Sequence, residues 1–318
     1  AVHDLKGGFD HFERKHFLTA VFADLGVKDF ISTTSRNNVA KKIKNPRNPY
    51  HIEYKKQHKK IFESIKLSAD FLIQRFKHSS YLPYPAMLSI LSIFYYYNNN
   101  HHPTEKQIRE IERWFWTTGF TKRYSGGNQR YNQLNDAEEM KKLAKSKKYK
   151  INLSAKTRVE PISIKELAKV KYNKSGAIRN TFFCYLISKK PLNFTNGEPL
   201  PIGEVSSLFN AKNDHHVFPK DILKDYFHRD DINTILNICF LTFGENIKIK
   251  NKAPWIYLKE FVDKNSFRKV VDSHVLPFKD CLLKKGEPDD KYKVFKKERM
   301  LIIKYALIRL MGEKYVVD

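Results

Sequence analysis

Between residues 214 and 254 the chain sets a pair of histidines and two asparagines among short apolar runs. The run Asp214-His215-His216-Val217-Phe218-Pro219-Lys220 is followed by Asn237, Asn246 and Pro254. Ile235 to Phe243 is rich in branched and aromatic residues and is punctuated by Gly244, so it reads as a short buried strand followed by a turn. His215 to Phe218 reads as its partner strand. Neighbours on a strand point to opposite faces, so the two imidazoles have different jobs unless Pro219 or a bulge distorts the strand end. One can bind a divalent cation, and the other, as a group that titrates near neutrality, can take a proton from an attacking water. A helix starting near Glu245 puts Asn246 on its first turn, close to the strand ends, where its side-chain oxygen suits a second metal ligand. Such a one-metal arrangement stabilises charge developing on a scissile phosphate, with water and phosphate oxygens completing the shell.

The run from Asp214 to Pro254 resembles an HNH endonuclease, with its β-β-α metal fold. It is most similar to the module at the C-terminal end of GmrSD-type modification-dependent restriction enzymes. The resemblance implies that His215 stands at the first metal-ligand position and His216 at the general-base position. It also implies that Asn237 holds the loop and orients the base, and that Asn246 is a metal ligand. Asn251 and Pro254 fall where relatives, including HNH domains of RNA-guided CRISPR nucleases, carry an Asn-x-x-Pro-like tail. Many HNH enzymes have an aspartate where His215 sits, which leaves Mg²⁺, Mn²⁺ and other transition metals open. Asp214 is either a further metal ligand or a carboxylate that orients a ligating imidazole. The bland alternative is that these are ordinary core or surface histidines and turn asparagines, of which a chain with 12 histidines has some.

Charge points the same way. Lys plus Arg number 59 against 34 Asp plus Glu, a formal net charge of +25, which favours a polyanionic partner such as DNA, whose binding weakens steeply with salt. Lys248, Lys250 and Lys252 lie beside Asn246 and are candidate phosphate contacts. Lys122 and Arg123, interleaved with the aromatic run Trp114-Phe115-Trp116 and Tyr124, are further nucleic-acid candidates, although aromatics at a helix end also serve as core. That run is similar to the helical middle portion of GmrSD-type proteins. The longest nearly apolar run, Ala86 to Tyr97, falls short of the ~20 residues that span a bilayer, so a core helix and a cytoplasmic protein without membrane contact are expected. Cys184, Cys239 and Cys281 have no metal-site spacing and read as reduced thiols.

Helical patterns cover His11–Leu25, Ile52–Phe76, Gln107–Trp116 behind a Thr104/Gln107 capping box, Asn135–Lys147 as an exposed charged helix, Trp255–Asp263 and Val294–Met311. Ser32 to Pro49 reads as a basic loop, and the Pro-, Asn- and Gly-rich stretch Lys189 to Pro201 as a linker. The expected fold is therefore mainly α with a small α+β HNH module: a mostly helical domain over 1–199 and a nuclease domain with C-terminal helices over 200–318. Full-length GmrSD-type proteins begin with a nucleotide-dependent domain carrying an Asp-Gly-Gln-Arg-like signature, which this chain, starting at Ala1, lacks; the resemblance therefore implies either the C-terminal part of a longer protein with that domain upstream or a stand-alone relative. The function expected is a divalent-metal-dependent DNA endonuclease used in defence against phage or foreign DNA. A metal-dependent RNA nuclease and a non-catalytic nucleic-acid-binding module are the alternatives.

Overall fold

A computed structural model of the chain describes residues 9, 14–76, 79–154, 158–201, 216–262 and 266–318. It is mainly helical and divides into two units, Ala1–Glu160 and Pro161–Asp318. No helix among the described residues is long and apolar enough to cross a membrane.

The first unit comprises helices α1 (Arg14–Asp24), α2 (Thr33–Lys44), α3 (Pro49–Phe76), α4 (Ala86–Tyr97), α5 (Glu105–Phe120) and α6 (Gln129–Lys145). The apolar helix α4 is buried along nearly its whole length and packs against α1, α3 and α6, as expected of a helix apolar on all sides. Thr104 and Gln107 form the expected capping box at the start of α5. Trp114, Phe115 and Trp116 all lie in the core. Two expectations are corrected. The Ser32–Pro49 stretch contains α2, because Ser32 caps the helix by accepting from the Ser35 amide and Val39 anchors it in the core. The Asn135–Lys147 helix buries one face, including Asn135, Asp136, Glu139 and Leu143, because its polar groups find partners inside.

In the second unit, β1 (Ile162–Ser163) pairs in parallel with β2 (Val316–Val317). Around them run α7 (Ile164–Leu167), α8 (Ala177–Ser188), α9 (Lys220–Leu223), α10 (Arg229–Ile232), α11 (Phe243–Ile249), α12 (Pro254–Phe261), α13 (Phe267–Ser273), α14 (Asp280–Leu283) and α15 (Pro288–Met311). The boundary falls ahead of the Lys189–Pro201 stretch. That stretch is tied inward instead: Phe194 is fully buried in the unit's core with Val217, Phe218, Tyr257 and Phe295. The Leu192 amide donates to Ser273 Oγ (3.0 Å), and Leu192 also pairs with Pro199 across a tight turn. Cys184, Cys239 and Cys281 are buried free thiols.

The expected strand over Ile235–Phe243 is also corrected. Ile235–Asn237 is a 3-10 turn, and only Ile238 pairs, antiparallel with His216. The reason is local: Asn237 supplies from its side chain the hydrogen bonds that the next rung of a ladder would make. Gly244, expected to mark the turn, lies inside α11.

Candidate active site in the second unit

His216 is the first described residue of the array and is nearly buried at 6 % exposure. Its Nε2 lies 3.0 Å from Asn233 Oδ1. An amide oxygen can only accept, so Nε2 is the donor in this pair. Tyr172 stands edge-on to the ring, with centroids 5.2 Å apart, and its amide is held by the Asn233 carbonyl (3.0 Å). Asn233 and Tyr172 thus fix the orientation of His216 from two chain segments.

Asn237 is fully buried and holds the backbone after His216. Its Oδ1 accepts from the Phe218 amide (2.9 Å), while its Nδ2 donates to the carbonyls of Phe218 (3.0 Å) and Ile232 (3.2 Å). The Val217 amide donates to the Asn237 carbonyl (2.7 Å), and Tyr257 Oη donates to the Val217 carbonyl (2.9 Å). The segment bearing His216 is therefore pinned on both edges. Asn237 holds this loop; the side chain hydrogen-bonded to the imidazole is Asn233. Asn233 carried no motif in the sequence, and its one signal was an Asn-Thr pair bounding the apolar run.

Asn246 lies on α11, whose start is set by a capping box between Thr242 and Glu245. The Glu245 carboxylate, itself buried, also accepts from the amides of Phe194 and Thr195, which locks the helix to the Leu192–Pro199 turn. The same cleft, of about 220 Å³, is lined by His216 and Asn246 together with Asp221, Lys250, Asn251 and Tyr257. The structure therefore brings His216, Asn246 and Asn251 to one place and adds Asp221 at the start of α9. Lys248 and Lys250 are exposed, and Lys250, which lines the cleft, has a positive φ of 49°. Lys252 pairs with Glu260. Asp214 and His215 lie outside the described residues.

Beneath the site runs Arg299 of α15, fully buried. Its guanidinium donates to the carbonyls of Leu236 (2.6 Å), Ile238 (2.8 Å), Val275 (3.1 Å) and His274 (3.1 Å). Burial pulls its pKa down to about 10, still far enough above neutrality to keep the charge. The same burial raises Cys239 to about 12 and Tyr257 above its usual range, so neither ionises near pH 7.

In the first unit the expectation for Arg123 is corrected. Its side chain is buried on Asp136, with Nη2–Oδ1 at 2.8 Å and Nε within 3.2 Å of both carboxylate oxygens. Trp114 Nε1 and Tyr124 Oη donate to the same carboxylate. A guanidinium held this way is part of the core and does not face a polyanion. Lys122 is exposed.

The oxygen-bearing side chains that line the His216 cleft are few. Asp221, Asn246 and Asn251 offer oxygens, and no set of three or more His, Cys, Asp or Glu side chains placed to hold a metal occurs among the described residues.

No family model matches the chain, and no solved structure matches it. Over 206 residues, 64 % of its length, it is 22 % identical to an uncharacterized protein of Methanocaldococcus jannaschii. The match spans 33 % of that protein, about a third of the relative's length.

Proposed function

We propose that the second unit is an HNH-type, divalent-metal-dependent endonuclease that hydrolyses DNA, serving in defence against phage or foreign DNA as the nuclease part of a larger GmrSD-like protein. The observation that carries this reading is that one cleft contains both the oriented His216 ring and Asn246, in the chain order of the HNH array. In this reading His216, held by Asn233 and Tyr172, takes the proton of the attacking water. Asn233 Oδ1 accepts from Nε2–H in both protonation states, and the bond strengthens as the imidazolium forms. Asn237 positions His216 through the backbone. Asn246 and Asp221, with His215 by resemblance, would hold the cation, Mg²⁺ or Mn²⁺, and Asp214 would be a further ligand or a carboxylate that orients one. When bound, the cation supplies electrostatic stabilisation of the charge that develops on the phosphate and leaving oxygen. Lys248 and Lys250 hold the cleaved strand.

A plasmid-nicking assay with Mg²⁺, with Mn²⁺ and with chelator tests this, comparing the native chain with His216→Ala. The expected result is metal-dependent nicking that the substitution lowers by ~10²-fold or more, in the range typical of a general base, while DNA binding and the unfolding midpoint stay close to native. Nicking that is indifferent to His216→Ala overturns the assignment. Running RNA and single-stranded DNA beside the plasmid identifies the preferred polymer.

A further inference from the structure

A second cleft, of about 430 Å³, opens in the same unit and takes no part in the HNH array. It is lined by Lys165, Lys169, Lys171 and Lys296 with Asp230, Asp231 and Thr234. These lysines come from α7, the segment after it, and α15. Lys171 forms an ion pair with Asp230, so the charge facing the cleft comes from Lys165, Lys169 and Lys296 against Asp231. Lys165 and Lys169 are exposed. Lys296 is half-buried, its Nζ 5.2 Å from the Tyr292 ring centroid, and burial lowers its pKa while Asp231 opposes the shift. A partly desolvated ammonium is a good partner for an incoming anion.

The cleft adjoins the candidate active site through the backbone. Thr234 lines it, and the preceding residue, Asn233, holds the His216 ring. Lys171 pairs across an antiparallel bridge with Thr234, and the following residue, Tyr172, packs on the same ring. The segments that orient His216 therefore continue directly into the wall carrying the lysines. The cations are separate side-chain ammoniums, which act as point charges and suit a succession of phosphates along a chain.

We propose that this lysine cleft is a backbone tract, which binds the DNA sugar-phosphate chain flanking the bond presented to His216. The proposal rests on the nuclease reading of the His216 cleft, and it assigns strand binding to Lys165, Lys169 and Lys296, none of which stands near the array in sequence.

The test is equilibrium binding of a fluorescent 30-base-pair DNA duplex to the full chain in chelator, across a salt series. Binding without metal separates this question from cleavage. The variants are Lys165→Gln/Lys169→Gln, both at exposed positions, and the triple variant that adds Lys296→Gln, with thermal unfolding to verify the fold. The double variant is expected to lower the slope of log K against log salt by about two and the triple by nearly three. Affinity is expected to fall by at least about tenfold in the triple. Native affinity and slope in both variants overturn the tract. If nicking proves independent of His216 while these slopes fall as expected, the nuclease reading fails and the tract stands as a DNA-binding surface. If nicking needs His216 while the slopes are native, the reverse holds.

Discussion

Arg299 organises the site from below without touching its cleft. The guanidinium gathers carbonyls from both sides of Asn237, at Leu236 and Ile238, and from the turn at His274 and Val275. These carbonyls have left water, and a charged donor satisfies them more strongly than a neutral one. Arg299→Met keeps the apolar stem but leaves the carbonyls without these donors, and is expected to cost roughly 3 kcal/mol or more. Chemical denaturation measures the loss; a midpoint within ~0.5 kcal/mol of native would show that the turn holds itself. The sequence shows Arg299 only as one more cation in a lysine-rich amphipathic helix. Its role depends on which backbone turns meet α15, and periodicity carries no such information. His216 and Asn246 stood out in the sequence as members of a spaced motif, and the structure brings both to one cleft, whereas Asn233, which orients the ring, belongs to no such motif. Arg123 failed for the opposite reason: among exposed basic residues it reads as a phosphate contact, but a buried aspartate more than ten positions away claims it.

At the scale of elements, the Leu192–Pro199 turn shows how composition misleads. Asn, Gly and Pro do mark a change of direction there, but the turn is docked between α11 and α13. Glu245 accepts its amides, Ser273 accepts the Leu192 amide, and His274 Nε2 donates to the Leu192 carbonyl (2.7 Å). Burial drives the His274 pKa from 6.5 to about 4, so the folded protein keeps this imidazole neutral while the unfolded chain protonates it below pH 6.5. Between those values the unfolded state binds more protons, and stability falls as pH drops from about 6.5 to about 4, by up to ~3 kcal/mol for this group alone. His274→Gln retains an N–H donor for Leu192 and removes the titration. The slope of unfolding free energy against pH should therefore flatten in this window; identical slopes in the two proteins would show that His274 does not titrate as burial dictates. The helices themselves were the most legible elements. Those with a strong cap or a continuous apolar stretch, α4 and α5, fell where expected, while α2 was hidden by its basic composition.

At the scale of the whole molecule, the informative question is where the second unit begins. Composition places the boundary at 199/200, and the structure places it at Glu160/Pro161. The two choices make different proteins. Starting at residue 200 removes β1 from β2 and Lys171 and Tyr172 from the Thr234–Asn233 edge that holds His216. It also takes Phe194 out of the core and leaves the buried Glu245 carboxylate without the amides of Phe194 and Thr195. A buried carboxylate stripped of donors costs ~1–3 kcal/mol or more, and emptying the Phe194 site adds ~3–5 kcal/mol, together comparable to the 5–15 kcal/mol that holds a typical domain. A fragment spanning 161–318 retains all of these contacts. It is expected to unfold in a single cooperative transition with a near-ultraviolet circular dichroism signal from its packed aromatics, whereas 200–318 is expected to lack both. Cooperative unfolding of 200–318 would mean that the residues before 200 only decorate a self-sufficient module. Failure of 161–318 to fold would mean that the second unit depends on the first.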